Sequence, residues 1–271
     1  MNKTKVYLKK SLGQNFLRDE NIARKIISSL SLNSDDYVLE IGPGTGMLTK
    51  YLIEQAKRVV AVEIDKNLVQ KLLKQFCTYD NLFLYHDDIL KISFKEILRG
   101  NQSWKVVANL PYHITSPVLF KLFDHRTFFD SATLMIQKEV AQRIVAQPKS
   151  KNYGILSVFS QLYAEVKILF EISHHVFFPK PEVSSAVVKW KFKQTEPLDQ
   201  QEDDLFRRIV KGSFSQRRKM LRNSLRSVFN NEVDLTQINF DLEQRPEDVS
   251  VQGFIELTRQ IKRFHTTLIQ D

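Results

Sequence analysis

The chain has 271 residues, 42% hydrophobic and 26% charged, with 40 Lys and Arg against 31 Asp and Glu and a net charge of +9. That composition fits a soluble globule large enough for one main domain and a smaller piece, and its positive balance favours polyanionic partners. No apolar run reaches the roughly 18 residues of a membrane span, no signal-peptide core follows the basic residues 1–5, and the lone Cys77 excludes an internal disulfide and a Cys-rich metal site. A cytoplasmic protein without a metal or a membrane partner is the expectation, and a monomer is the default.

In chain order, residues 1–18 form a mixed lead-in without a helical face. Asp19 is placed to cap a helix whose apolar stripe is Ile22, Ile26, Ile27 and Leu30. A short apolar strand at 37–41 then turns through Gly42, Gly44 and Gly46 into a helix-forming run. Further strands are expected at 59–63, 82–86, 105–108, 132–136, 166–170 and 185–190, with helices at 67–76, 118–123 and 138–146. The segment 176–181 is extended because of Pro179 and Pro181. Strands alternating with helices predict an α/β fold, a mostly parallel sheet covered on both faces. After Gln194 the texture becomes helical, so the domains are set at 1–194 and 195–271. Between Leu205 and Arg226 lie eight Lys or Arg and no acid, with Phe206, Ile209, Val210, Phe214, Leu221 and Leu225 recurring at helical spacing. An amphipathic helical unit with a basic outer face would track phosphates.

The glycine turn carries the first chemical signal. Its spacing is G-x-G-x-G, not the G-x-G-x-x-G that seats a pyrophosphate. Glu40 stands just ahead, where a carboxylate repels phosphate and favours an ammonium group. Glu63 closes the next strand 21 residues after Gly42, near the roughly 20 expected of an acid that holds ribose hydroxyls. The stretch resembles motif I of S-adenosylmethionine-dependent methyltransferases. Asp88, after the third strand, points to the crevice where open α/β sheets bind ligands.

Asn109-Leu110-Pro111-Tyr112 resembles the [N/D/S]-P-P-[Y/F] motif of methyltransferases that modify exocyclic amino nitrogens. An Asn109 side-chain oxygen beside a backbone carbonyl can accept both hydrogens of an adenine amino group. It would stabilise the positive charge that grows on that nitrogen. Tyr112 can stack on the base.

These motifs, with Lys10-Ser11-Leu12-Gly13-Gln14-Asn15-Phe16-Leu17, Phe177-Phe178-Pro179-Lys180-Pro181 and Phe214-Ser215-Gln216-Arg217-Arg218-Lys219, stand in the order of one family. Nearly the whole chain resembles the ribosomal RNA adenine dimethylases, and among them the bacterial small-subunit N6,N6-dimethyltransferases. The resemblance implies a Rossmann-like S-adenosylmethionine-dependent methyltransferase domain with a small C-terminal all-helical domain. It implies dimethylation of two adjacent adenosines in the 3′-terminal hairpin loop of 16S rRNA, on an assembling 30S particle. By motif match, residues 1–18 form a segment that closes over the cofactor through Asn15 and Leu17. Gly42 would lie against the cofactor's amino acid end, Glu63 on its ribose, Asp88 on its adenine amino group and Asn109 at the methyl-transfer end. Phe177 would pair with Tyr112 around the target base. Arg217, Arg218, Lys219 and Arg222 would dock the RNA. His113 departs from the asparagine that members often have, and His174 and His175 read as surface or hinge residues. The rivals are a 23S rRNA adenine methyltransferase of the macrolide-resistance type, a DNA adenine methyltransferase, and an RNA-binding ribosome-assembly factor with little catalysis.

Overall fold

The computed structural model describes residues 13–230 and 233–267. Residues 1–12, with Lys10, Ser11 and Leu12 of the lead-in motif, lie outside the described residues. The chain divides into two compact units, residues 1–141 with 167–192 and residues 142–166 with 193–271.

In the first unit the lead-in forms a short strand, β1 (Phe16–Leu17), followed by helix α1 (Glu20–Leu30). Asp19 caps α1 as its position predicts: its Oδ1 accepts from the N–H groups of Asn21 at 2.8 Å and Ile22 at 3.0 Å. The helix buries Ala23, Ile26, Ile27 and Leu30. Each of the three large side chains contributes about 1.5–3 kcal/mol, which fixes the helix and the strand before it.

Next come β2 (Tyr37–Ile41), α2 (Thr49–Gln55), β3 (Arg58–Glu63), α3 (Lys66–Gln75), β4 (Leu82–His86), α4 (Phe94–Ile97), β5 (Trp104–Asn109), α5 (Thr115–Asp124) and β6 (Phe129–Gln137). Helix α6 (Lys138–Ile144) begins in this unit. After the second unit's first segment, helix α7 (Ile155–Tyr163), come β7 (Ala164–Ile172), β8 (Phe177–Phe178) and β9 (Ser185–Phe192). Among the described residues the main sheet has seven strands in the order β4-β3-β2-β5-β6-β9-β7. The first five are parallel, and β9 pairs antiparallel with β6. Helices cover both sides, and Trp104 and Trp190 are fully buried. The separate pair β1–β8 joins Phe16 to Phe178 and Leu17 to Phe177.

The chain winds from β2 outward through β3 to β4, then returns to place β5 on the other side of β2. That reversal opens a crevice at the carboxyl ends of the strands, where ligands of open α/β sheets bind. Glu40, Glu63, Asp88 and Asn109 all lie at or just past those ends.

The second unit contains α7, α8 (Gln200–Ser215), α9 (Leu221–Phe229) and α10 (Val251–Thr267). It takes in 142–166, a stretch the sequence reading kept with the first domain. Helix α7 is short and mostly apolar, and its polar stripe of Ser157, Ser160 and Gln161 is itself buried or half-buried. Val158, Phe159, Leu162 and Tyr163 are all buried, as in a helix enclosed by its neighbours. The Phe159 ring meets Phe206 edge-on at 5.9 Å. Asp199 and Glu202 form a reciprocal cap at the start of α8, with bonds of 2.8 and 3.1 Å.

The basic stretch does not continue as one helix. It breaks between α8 and α9, and Arg217, Arg218 and Lys219 lie in the turn. The first N–H groups of a helix lack intrahelical partners. Here Leu221 and Arg222 donate to the carbonyls of Gln244 and Leu242, each at 2.9 Å, so the break is stabilised from outside the stretch.

Candidate active site

The crevice is a cavity of about 280 Å³. Its lining holds the carboxyl groups of Glu40, Glu63, Asp87 and Asp88 and, among the described residues, no Lys or Arg. A site of that charge disfavours phosphates and suits a cationic, phosphate-free ligand.

The glycine turn builds one wall. Gly42 has φ +67°, and a Cβ there would meet nothing within 4 Å, so a ligand can approach the bare backbone. Gly46 serves packing instead. Its φ is +83°, and a Cβ would come within 2.8 Å of the Phe76 ring and 2.9 Å of Leu72. Gly44 orients the acid on the next strand: its N–H donates to Glu63 Oε2 at 3.1 Å, while Asp65 N–H donates to Oε1 at 2.9 Å. Each carboxylate oxygen keeps a further acceptor position for a ligand hydroxyl.

Glu40 is 2% exposed, and its Oε2 accepts from the Thr49 hydroxyl at 2.7 Å. Burial pushes its carboxyl up to about 8, opposed by the Thr49 bond and assisted by the Glu63 charge. Burial also raises Glu63, against the pull of the Asp65 and Gly44 N–H groups. A cation seated beside Glu40 would favour its ionised form. The sign for the free protein follows from the raised value. Between the ordinary 4.5 and about 8, folded Glu40 holds a proton that the unfolded chain releases. The native state then binds more protons, so Glu40's contribution to stability falls as pH rises through that window. The thermal midpoint of free Glu40→Gln should therefore gain on wild type between about pH 5 and pH 8. An unchanged difference across that range would mean that Glu40 does not titrate there.

Asp88 lines the same cavity. Its Oδ1 accepts from Leu90 N–H at 2.9 Å and holds the turn after β4. Lys121 secures this turn from α5, donating to the Ile92 carbonyl at 2.5 Å. Lys121 and Thr49 carry no sequence signal, and Ile64 and Ile89, which stand in the motifs Glu63-Ile64-Asp65 and Asp87-Asp88-Ile89, prove to line the cavity. Ile64 is 48% exposed, unusual for isoleucine, and it directly follows Glu63 as Ile89 follows Asp88. An apolar residue just after a strand-end acid was the available signal.

At the other end of the cavity, Asn109 Nδ2 donates to the Asn15 carbonyl at 2.8 Å. A carbonyl only accepts, so this bond fixes which end of the amide is nitrogen and leaves Oδ1 on the other branch. Tyr112 lies in the short 3₁₀ turn that follows, its hydroxyl 3.0 Å from that of Ser185. Burial raises the phenol above its ordinary value, so Tyr112 stays protonated at neutral pH and offers a ring, not a base. Phe177 is buried opposite Leu17, and both line the cavity with Asn15 and Tyr112. His113 also lines it and lies against Gly13.

Of the basic residues singled out, Arg217 is tied down by Glu247 at 2.5 Å and the Lys151 carbonyl at 2.7 Å, and Arg222 pairs with Glu243 at 2.6 Å. Arg218 and Lys219 are exposed and have no ion-pair partner among the described residues. The described residues contain no group of three His, Cys, Asp or Glu able to hold a metal ion, and no helix long and apolar enough to cross a membrane.

Parallel strands, a glycine turn at the switch point and acids at successive strand ends define a Rossmann-like methyltransferase. The chain belongs to the ribosomal RNA adenine dimethylase family, whose profile matches residues 6–262. It is 40% identical over 262 residues to the "Ribosomal RNA small subunit methyltransferase A" of Clostridium botulinum (strain Kyoto / Type A2), covering 95% of each chain. It is 42% identical over 259 residues to the protein of that name from Chlorobium phaeobacteroides, covering 96% of this chain and 93% of the relative. Among solved structures, a dimethyladenosine transferase from Plasmodium falciparum superposes with a TM-score of 0.79 at 29% identity, over 92% of this chain and 98% of that one. The 23S rRNA methyltransferase ErmE shares the fold, with a TM-score of 0.69 at 22% identity, over 91% and 99% of the two chains.

Proposed function

We propose that the protein uses S-adenosylmethionine to dimethylate N6 of two adjacent adenosines in the 3′-terminal hairpin loop of 16S rRNA, acting on an assembling small subunit. The observation that carries the reading is Asn109, held by the Asn15 carbonyl so that its oxygen is the free acceptor, beside Tyr112 in an acidic cavity. The small-subunit assignment rests on the small subunit methyltransferases that match nearly the whole chain at about 40% identity.

The residues present fit the cofactor. The bare backbone at Gly42 leaves room for its amino acid end, Glu63 has acceptor capacity left for ribose hydroxyls, and Asp88 with Ile64 and Ile89 suits an adenine. Glu40 supplies negative charge near an ammonium group. Asn15 and Leu17 cover the site from the lead-in. S-adenosylmethionine supplies an electrophilic methyl group. The chain's own task is positioning and electrostatics. Asn109 Oδ1 and a neighbouring backbone carbonyl accept the amino hydrogens, orient the nitrogen and stabilise its developing positive charge. Tyr112 and Phe177 hold the base. No dedicated base is needed, because the methylated nitrogen loses its proton readily once transfer is complete.

Labelled methyl transfer to small-subunit particles, large-subunit RNA and duplex DNA tests the substrate class. The small-subunit particles should be methylated; transfer confined to large-subunit RNA or DNA would overturn the assignment. RNA docking falls to the exposed, unpaired Arg218 and Lys219. Reversing both to Glu should weaken particle binding. For each phosphate of duplex-like RNA that the protein then leaves unneutralised, the log–log salt slope should fall by about 0.9. An unchanged affinity and slope would reduce this turn to solvated charge.

A further inference from the structure

Beyond the cavity, the β1–β8 ribbon carries a pair that the chemistry above does not use. Phe178 is 44% exposed, and the Arg18 guanidinium lies 3.8 Å from its ring centroid. Arg18 is fixed by its backbone, whose N–H donates to the Val176 carbonyl at 2.9 Å. Its guanidinium has no carboxylate partner among the described residues, and neither has Lys180, two residues beyond Phe178. The other residues of the ribbon, Phe16, Leu17 and Phe177, line the cavity. An exposed aromatic ring next to an unpaired guanidinium is what single-stranded nucleic acid recognises: a π-face for a base and a fork for a phosphate.

We propose that Arg18 and Phe178 form a landing step for the nucleotide next to the target adenosine. The base stacks on the exposed face of Phe178, and the Arg18 fork takes the adjoining phosphate. The occupant follows from continuity. A strand that inserts one nucleotide between Tyr112 and Phe177 must leave the cavity along the ribbon that carries Phe177. The charge agrees, since the cavity lining is acidic while the ribbon itself carries the Arg18 guanidinium beside Phe178. The inference rests on the reading of the protein as an RNA adenine methyltransferase and adds a substrate subsite to it.

The test measures steady-state methylation of unmodified small-subunit particles by wild type, Phe178→Ala, Phe178→Tyr and Arg18→Gln, with calorimetry for S-adenosylmethionine. Phe178→Ala should raise KM for the particle roughly five- to a hundred-fold, the span of base–aromatic stacking, while kcat and cofactor affinity stay near wild type. Phe178→Tyr should restore KM, and Arg18→Gln should raise it and flatten its salt dependence. An unchanged KM in both Phe178→Ala and Arg18→Gln would overturn the proposal. So would a loss of cofactor affinity parallel to the rise in KM, which would reduce the pair to a support of the cavity wall. If Phe178→Ala does not fold, Arg18→Gln decides alone, because its side chain is exposed. A wild-type protein that methylates no RNA would instead bring down the underlying reading.

Discussion

Asn109→Ala should lower the single-turnover rate of methyl transfer by roughly a hundred- to a thousand-fold, the cost of removing one preorganised group aimed at developing charge. Binding of either substrate should fall far less, since the acceptor matters most where positive charge grows. The geometry supplies a control. Asn109 lines the cavity and donates through Nδ2 to the Asn15 carbonyl, which leaves Oδ1 as the amide's other branch. Asn109→Asp keeps an oxygen but loses the donor, and it sets a carboxylate against a carbonyl. It should retain more chemistry than alanine per bound complex while losing more cofactor affinity, because alanine removes the donor without adding that repulsion. Rates near wild type in Asn109→Ala, with binding abolished, would make Asn109 a binding residue only.

Glu63→Gln should weaken S-adenosylmethionine binding roughly ten- to a hundred-fold. It removes the charge and turns one acceptor branch into an NH2 facing the Gly44 or Asp65 N–H, at a cost of about 1.5–3 kcal/mol. Alanine should be worse, for a reason the sequence did not contain. Glu63 also accepts from the Gly44 and Asp65 N–H groups, so its removal leaves two buried donors unpaired at about 1–3 kcal/mol each and frees the glycine turn. Calorimetry should rank wild type, then Gln, then Ala. Equal affinity for wild type and Glu63→Gln would remove the carboxylate from the ligand.

What could be read in advance was local. The turn at Gly42, Gly44 and Gly46, the acid closing β3 and the Asn–Leu–Pro–Tyr segment each combine short-range backbone demands with a chemical group. The α1 cap and stripe were legible for the same reason. Helix α7 was not, because its nine residues give under three turns and its weakly polar stripe of Ser157, Ser160 and Gln161 is short and flanked by apolar residues on all sides. Two-residue strands such as β1 and β8 carry no periodic signal, and their pairing joins distant parts of the chain. The basic stretch contains no acid, and its partners lie elsewhere in the chain. Glu247 and Glu243 neutralise Arg217 and Arg222 from further along, leaving Arg218 and Lys219 as the free charges in the turn. Likewise, Thr49 is unremarkable in sequence, yet its hydroxyl bonds the buried Glu40.

The most direct measurement is mass spectrometry of the 3′ end of 16S rRNA from unmodified small-subunit particles, incubated with the protein and S-adenosylmethionine. Wild type should leave two adjacent N6,N6-dimethyladenosines in the terminal hairpin loop, and Asn109→Ala should leave them unmodified over the same interval. An unmodified 3′ end after incubation with folded, cofactor-bound wild type would contradict the account.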